Sequence, residues 1–149
     1  MSRYDFWTHG VNTIVQFPER AKSIEHSGGG TEIKQQGSPN DTNWLHIPIP
    51  SPTVLGSTKV AVSRVRIRGT VDNKALIEEL QILVDGESKS THPFGQSLTG
   101  RQFDQGFNAG DFILEGGLVV SLRVKFLNPQ GKVTIRGVGI RFEQLPIPV

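Results

Sequence analysis

The stretch from Asn43 to Leu55, N-W-L-H-I-P-I-P-S-P-T-V-L, constrains the fold more than any other part of the chain. Its first half alternates: Leu45, Ile47 and Ile49 share one parity, and Trp44, His46 and Pro48 share the other, so an extended backbone sends the two sets to opposite faces. Pro48, Pro50 and Pro52 lack a backbone N–H, which keeps such a segment out of the middle of a sheet and places it at an edge, a strand end or a crossing between sheets. The segment is therefore a stiff corner between a polar, loop-rich N-terminal part and the long apolar strands that follow.

Those strands define the fold class. Lys59 to Thr70 changes apolar parity partway, from Val60 and Val62 to Val65 and Ile67, as a β-bulge at Ser63 or Arg64 produces. Ala75 to Val84 puts Leu80, Ile82 and Val84 on one face. Its good helix formers also allow a helix, but its short length and its end at Asp85-Gly86 favour a strand. Leu118 to Leu127 alternates throughout, Asn128-Pro129-Gln130-Gly131 is a turn, and Lys132 to Glu143 repeats the parity change across Gly137. A bulge is expected there, with glycine tolerating positive φ. Earlier in the chain, Gly10 to Phe17 reads as a first strand. Ala21 to His26 and Thr31 to Gln36 form a hairpin across Ser27-Gly28-Gly29-Gly30, and Gln36 to Thr42 reads as a polar turn. Asp85 to Gly110 has no sustained period, but its Phe94, Phe103 and Phe107 argue for order, and Phe112 to Leu114 opens the next strand.

With 17 glycines and 9 prolines scattered among short apolar runs in 149 residues, the expectation is all-β: one domain over residues 1–149, a single antiparallel β-sandwich, jelly-roll-like, of about eight strands. Cysteine is absent, which removes disulfides, thiolate metal sites and cysteine nucleophiles. Neither a signal-peptide run nor a membrane-length apolar segment occurs, so a cytoplasmic protein without membrane contact is expected. A formal charge of +2 is too small to imply nucleic acid by itself.

The run Trp44 to Thr53, followed by K-V-A-V-S-R-V, resembles a group of uncharacterised bacterial all-β proteins in which a Trp-x-His-Ile-Pro-Ile-Pro segment precedes paired strands. The resemblance implies a sandwich fold and carries no function with it.

Three constellations bear on chemistry. His9, His26, His46 and His92 show no H-x-H or H-E-x-x-H spacing, and neither a nucleophile elbow nor a phosphate loop is present. Glu78 and Glu79, as neighbours on a strand, should face opposite ways, which is wrong for shared acid-base work. Asp104, Asp111 and Glu115 lack the spacing of a calcium loop. No metal or other cofactor is expected.

Trp7-Thr8-His9 and Trp44-Leu45-His46 each place a tryptophan and a histidine on one side of an extended backbone. This makes Trp7, His9, Trp44 and His46 the ligand-binding candidates, with capping of the sandwich as the alternative role for the indoles. Arg64, Arg66, Arg68, Arg123 and Lys125 lie on the polar parities of their strands. If those strands are neighbours they form one cationic band for an anionic partner. No aromatic residues alternate with the arginines, which argues against a single-stranded nucleic acid.

The function expected is a non-enzymatic binding or interaction module, with carbohydrate as first ligand in a lectin-like role and a protein surface second. A self-assembling structural subunit and a small metal-dependent hydrolase using His9 and His46 are the alternatives. The apolar tail from Gln144 to Val149 adds the expectation of a homo-oligomer, with the tail lying in a groove of a neighbouring copy in preference to its own.

Overall fold

The computed structural model describes residues 3–35, 41–50, 54–55, 58–72, 74–94, 101–127 and 130–148. The elements run β1 Arg3–His9, a 3-10 turn Gly10–Asn12, β2 Ile14–Val15, a second such turn Pro18–Arg20, β3 Ala21–Ser27, β4 Gly30–Gln35, β5 Asp41–Ile49 and β6 Val54–Leu55. Then follow β7 Thr58–Val71, β8 Ala75–Val84, β9 Glu87–Pro93, β10 Arg101–Ile113, β11 Leu118–Phe126 and β12 Lys132–Pro148. They form two antiparallel sheets packed face to face. The first, sheet A, runs β10-β7-β12-β4-β3, with β1 also on β12 and β6 on β7; the second, sheet B, runs β2-β5-β11-β8-β9.

The core lies between the sheets and is built from the inward parity of each strand. Val65, Ile67, Val133, Ile135, Val138 and Phe142 come from sheet A, and Leu45, Ile47, Leu80, Ile82, Leu122 and Phe126 from sheet B. In β5 the alternation is as its sequence requires: Leu45, Ile47 and Ile49 are buried, Trp44 and His46 half-buried, and Pro48 exposed. β11 pairs along all of β5, but on the other edge β2 reaches only Leu45 and His46. Pro48 therefore has an open edge on the side where it lacks a donor.

The bulge in β7 falls at Ser63, which is skipped between Arg64 paired with Arg141 and Val62 paired with Phe142. The second parity change also is a bulge: Ile135 pairs with Gly69 and Gly137 with Arg68, which leaves Arg136 as the extra residue. Its cause is not the one expected from the sequence. Positive φ occurs at Gly30, Gly86 and Gly110 and not at Gly137, and a Cβ at 137 would meet its neighbours at 3.4 Å or more, so neither left-handed backbone nor a clash explains the glycine. Asp85 and Gly86, at φ 51° and 81°, turn β8 into β9 in the geometry a two-residue hairpin needs.

Several elements differ from the sequence reading. Twelve strands occur among the described residues where about eight were expected. Residues 3–9 form a strand that was missed, while the span read as Gly10 to Phe17 is a 3-10 turn and the two-residue β2. Two strands, β9 and β10, occupy the span read as aperiodic, and Phe112 lies near the end of β10 and does not open a strand. Phe103 is buried, and Phe94 packs edge-on against Phe107 at 4.9 Å. The turns expected at Ser38-Pro39-Asn40, Asn73 and Asn128-Pro129, and the corner at Pro52, lie outside the described residues.

The C-terminal extension continues β12 along its own chain, to Pro148 opposite Thr58 of β7. Deleting residues 145–149 should therefore lower the thermal midpoint and leave the mass in light scattering unchanged; a drop in mass would mean the tail bridges copies.

β12 is the shared strand of sheet A. One edge pairs with β7 throughout, whereas the other pairs with β4 over Lys132–Ile135 and with β1 over Gly137–Glu143. Where the partners change, Gly10 and Gly30 both press on the Ile135 carbonyl: a Cβ on either would sit about 2 Å from that oxygen. Gly30→Ala, at φ 117°, should destabilise by about 3 kcal/mol or more. Gly28→Ala, which would meet nothing within 4 Å, should stay within about 0.5 kcal/mol; urea denaturation of both variants checks this.

Candidate functional site

The two Trp-His pairs lie on different sheets, and the two faces they occupy differ in kind. Trp44 and His46 are on the outer face of sheet B, with rings parallel to within 6° and 6.4 Å apart. His46 Nε2–H donates to Gln16 Oε1 at 2.8 Å, and its Nδ1 accepts from the Ser121 hydroxyl at 2.7 Å. These are the roles of the neutral ring, the form that burial favours by lowering the His46 pKa.

Arg123 completes that surface, with its guanidinium 5.8 Å from the Trp44 ring centroid and ion pairs to Glu78 at 3.3 Å and Glu79 at 3.6 Å. The two carboxylates do not face opposite ways as read from the sequence. Pairing of Arg123 with Glu79 and of Val124 with Ile77 skips Glu78, and this bulge brings both acids to one guanidinium. His46 and Arg123 are thus engaged by neighbours on this face.

On the outer face of sheet A the arrangement is open. Trp7 stands opposite Gly139 in the pairing of β1 with β12, and the indole lies flat on that glycine: a Cβ there would come within 2.8 Å of two ring atoms. The Arg68 guanidinium lies over the ring at 4.3 Å, a cation–π contact that holds the indole down. Even so, Trp7 is 46% exposed.

Beside it His9 is used structurally. Its Nδ1 accepts from the Val11 N–H at 3.0 Å and its Nε2–H donates to the Gly28 carbonyl at 2.8 Å, so it caps the 3-10 turn and ties it to the β3–β4 hairpin.

Trp7 forms a ridge between two depressions. One, of about 80 Å³, is lined by Asp5, Arg64, Arg66 and Arg141; the other, of about 420 Å³, by His9, Arg68, Arg136 and Gly137. A further hollow of about 550 Å³ continues past His9 and Arg136 to the Gly28-Gly29 turn, and one of about 360 Å³ continues past Arg64 and Arg141 to Arg3. Shared lining residues make these one shallow groove, within the volume range of ligand sites. Asp104 takes bonds from both Arg66 and Arg68, which fixes the two guanidiniums side by side. The Arg66 hydrogen bond, with a smaller contribution from Arg68, holds the Asp104 carboxyl below its ordinary value.

Two expectations need correction. The cationic band is not continuous, because Arg64, Arg66 and Arg68 lie on β7 in sheet A while Arg123 and Lys125 lie on β11 in sheet B. For the same reason His9 and His46 do not converge, and among the described residues no three His, Asp or Glu side chains are grouped as a metal site. Sequence reasoning missed Asp5, and missed that Trp7 shares one surface with Arg136 and Arg141; the glycines at 137 and 139, spaced to leave room on one face of a strand, were the available signal.

Residues 1–144 match a family described as a family of unknown function, DUF6623. The chain belongs to that family. No curated protein matches at the sequence level. Among solved structures, a family 35 carbohydrate binding module from Clostridium thermocellum aligns over 92% of this chain and 97% of its own, with 12% identity and a TM-score of 0.51. The CBM36-1 domain of a multidomain xylanase from the hindgut metagenome of Trinervitermes trinervoides aligns over 92% and 96%, with 12% identity and a TM-score of 0.49. At such identity the likeness is one of fold: the DUF6623 chain shares the β-sandwich architecture of carbohydrate-binding modules.

His46 and His92 set the pH response of the fold. Burial lowers both pKa values from the ordinary 6.5. The unfolded chain then binds protons on these rings at a higher pH than the folded one does, so stability falls as pH drops below about 6.5 and levels off once the folded rings protonate. In urea titrations from pH 7.5 to pH 5, the His46→Gln/His92→Gln variant should show a flatter loss of stability than the parent.

Proposed function

We propose that this protein is a non-catalytic carbohydrate-binding module whose saccharide lies across Trp7 on the outer face of sheet A. The observation that carries this reading is the indole itself, seated on Gly139 and still 46% exposed at the centre of an open groove. A sugar ring offers an apolar C–H surface to the part of the indole that Gly139 and the Arg68 guanidinium leave uncovered, and a rim of hydroxyls to the guanidinium N–H donors beside it. The sandwich shared with carbohydrate-binding modules supports the reading at the level of fold.

Catalysis beside Trp7 is disfavoured by the state of the two nearest acids. Asp104 is held ionised by two arginines and Asp5 is ion-paired with Arg141 at 2.9 Å, whereas a general acid needs a raised carboxyl pKa. On the opposite face, Trp44 and His46 are the competing ligand pair, and their engagement with Arg123, Ser121 and Gln16 places them second.

Trp7→Ala should lower affinity for a bound glycan more than tenfold in affinity electrophoresis, with the circular dichroism spectrum unchanged. Gly139→Ala, which lifts the indole from its seat, should weaken binding in the same direction. Trp44→Ala should leave it intact; loss of binding in Trp44→Ala alone would move the site to sheet B.

A further inference from the structure

We infer that the saccharide is anionic, carrying carboxylate or sulfate groups that Arg64 and Arg136 engage on either side of Trp7; this rests on the proposed carbohydrate site and specifies its ligand. The inference starts from which charges on the face have partners. Arg3 pairs with Glu143 at 2.9 Å, Arg141 with Asp5 at 2.9 Å, and Arg66 and Arg68 share Asp104. Arg64 and Arg136 have no acidic partner among the described residues. Immediately around Trp7, the five guanidiniums of Arg64, Arg66, Arg68, Arg136 and Arg141 thus face two carboxylates, Asp5 and Asp104; farther out, Glu25 and Glu32 line the 550 Å³ hollow with Lys132, and Glu143 lines the 360 Å³ one with Arg3.

An exposed arginine without a partner is ordinary, but these two are placed by special features of the backbone. The Arg64 guanidinium rests on Gly106 of β10, where a Cβ would come within 2.6 Å of its terminal nitrogen. Arg136 is the extra residue of the β12 bulge, and a bulge re-aims the side chain it carries. Arg64 lines both the 80 Å³ and the 360 Å³ depressions on one side of the indole, and Arg136 lines both the 420 Å³ and the 550 Å³ depressions on the other. A saccharide crossing the ridge meets one free guanidinium in each direction.

The arrangement works against stability. Arg64 stands directly opposite Arg141 in the pairing of β7 with β12, and like charges opposite each other destabilise a sheet. A planar guanidinium fork fits a carboxylate or sulfate through paired N–H donors, so an anionic ligand relieves the repulsion on binding.

Isothermal titration of the full chain with a galacturonic acid pentamer, a sulfated oligosaccharide of matched charge, a neutral xylose pentamer and a single-stranded oligonucleotide tests this. The uronate or the sulfated sugar should bind at least tenfold more tightly than the neutral sugar, and the two arms decide which anion is read. Arg64→Gln and Arg136→Gln should each cost about tenfold toward the acidic sugar and clearly less toward the neutral one, which loses only hydroxyl contacts; Lys89→Gln, on β9 of the other sheet, should change neither. Equal affinity for acidic and neutral sugars, with silent arginine variants, overturns the inference and leaves the carbohydrate site standing. Binding of acidic sugar and oligonucleotide alike, insensitive to Trp7→Ala, makes the face a general polyanion surface and overturns it. Absence of binding to any sugar removes the carbohydrate reading and the inference together.

Discussion

The Ile135 carbonyl marks the point on which sheet A depends. Here one edge of β12 passes from β4 to β1, and the chain must bring two other backbone segments, at Gly10 and Gly30, almost into contact with that oxygen. Two side chains secure the approach: the buried hydroxyls of Thr13 and Thr31 both donate to the Gly10 carbonyl at 2.7 Å. Each such bond contributes about 1 kcal/mol. The Thr13 N–H bonds the same carbonyl at 3.1 Å, so three donors converge on it and hold the N-terminal segment in place.

From that junction the binding face follows. With β1 laid beside β12 after the bulge, Gly139 stands opposite Trp7, and the absence of a side chain there is what lets the indole lie flat and outward. The same outward parity on β7 supplies three arginines in succession, and Asp104 on β10 fixes two of them. Sheet B differs because its outer polar groups are matched to each other: a bulge adds a second glutamate to Arg123, and Ser121 and Gln16 occupy both nitrogens of His46. The two Trp-His pairs look alike in sequence and end in different physical states.

Legibility followed the apolar pattern. The Ser63 bulge could be read because valines and isoleucine mark parity on both sides of it, whereas the Glu78 bulge could not, because both residues at the slip are glutamates and either parity looks polar. Strand β1 was missed for a related reason: Tyr4, Phe6 and Trp7 put aromatic residues on both faces, and all three are exposed in the structure, so no alternation marks a buried side. β10 contains Gly106 and Gly110 amid polar residues and earns its strand state only from pairing with β7, a tertiary effect. At the site, the i, i+2 spacing of each tryptophan and histidine was visible, but the sheet each pair joins is decided by partners far along the chain. Asp5, for instance, meets Arg141 across 136 positions, and no local pattern announces that.

β12 also fixes the order in which the molecule can be made. It is the last of the described strands in the chain and yet lies inside sheet A, between β7 on one edge and β1 and β4 on the other. During synthesis β5, β8 and β11 can assemble sheet B while β1, β4 and β7 still wait with open edges. A nascent chain halted before Lys132 has one sheet ready to form and the other lacking its middle strand, with the unpaired edges that invite association between chains. The pairing of first strand with last adds a large loop-closure entropy to that step. Sheet A, the sheet that carries the groove, therefore cannot be completed before β12 is made, and the Trp7 surface depends on that last described strand.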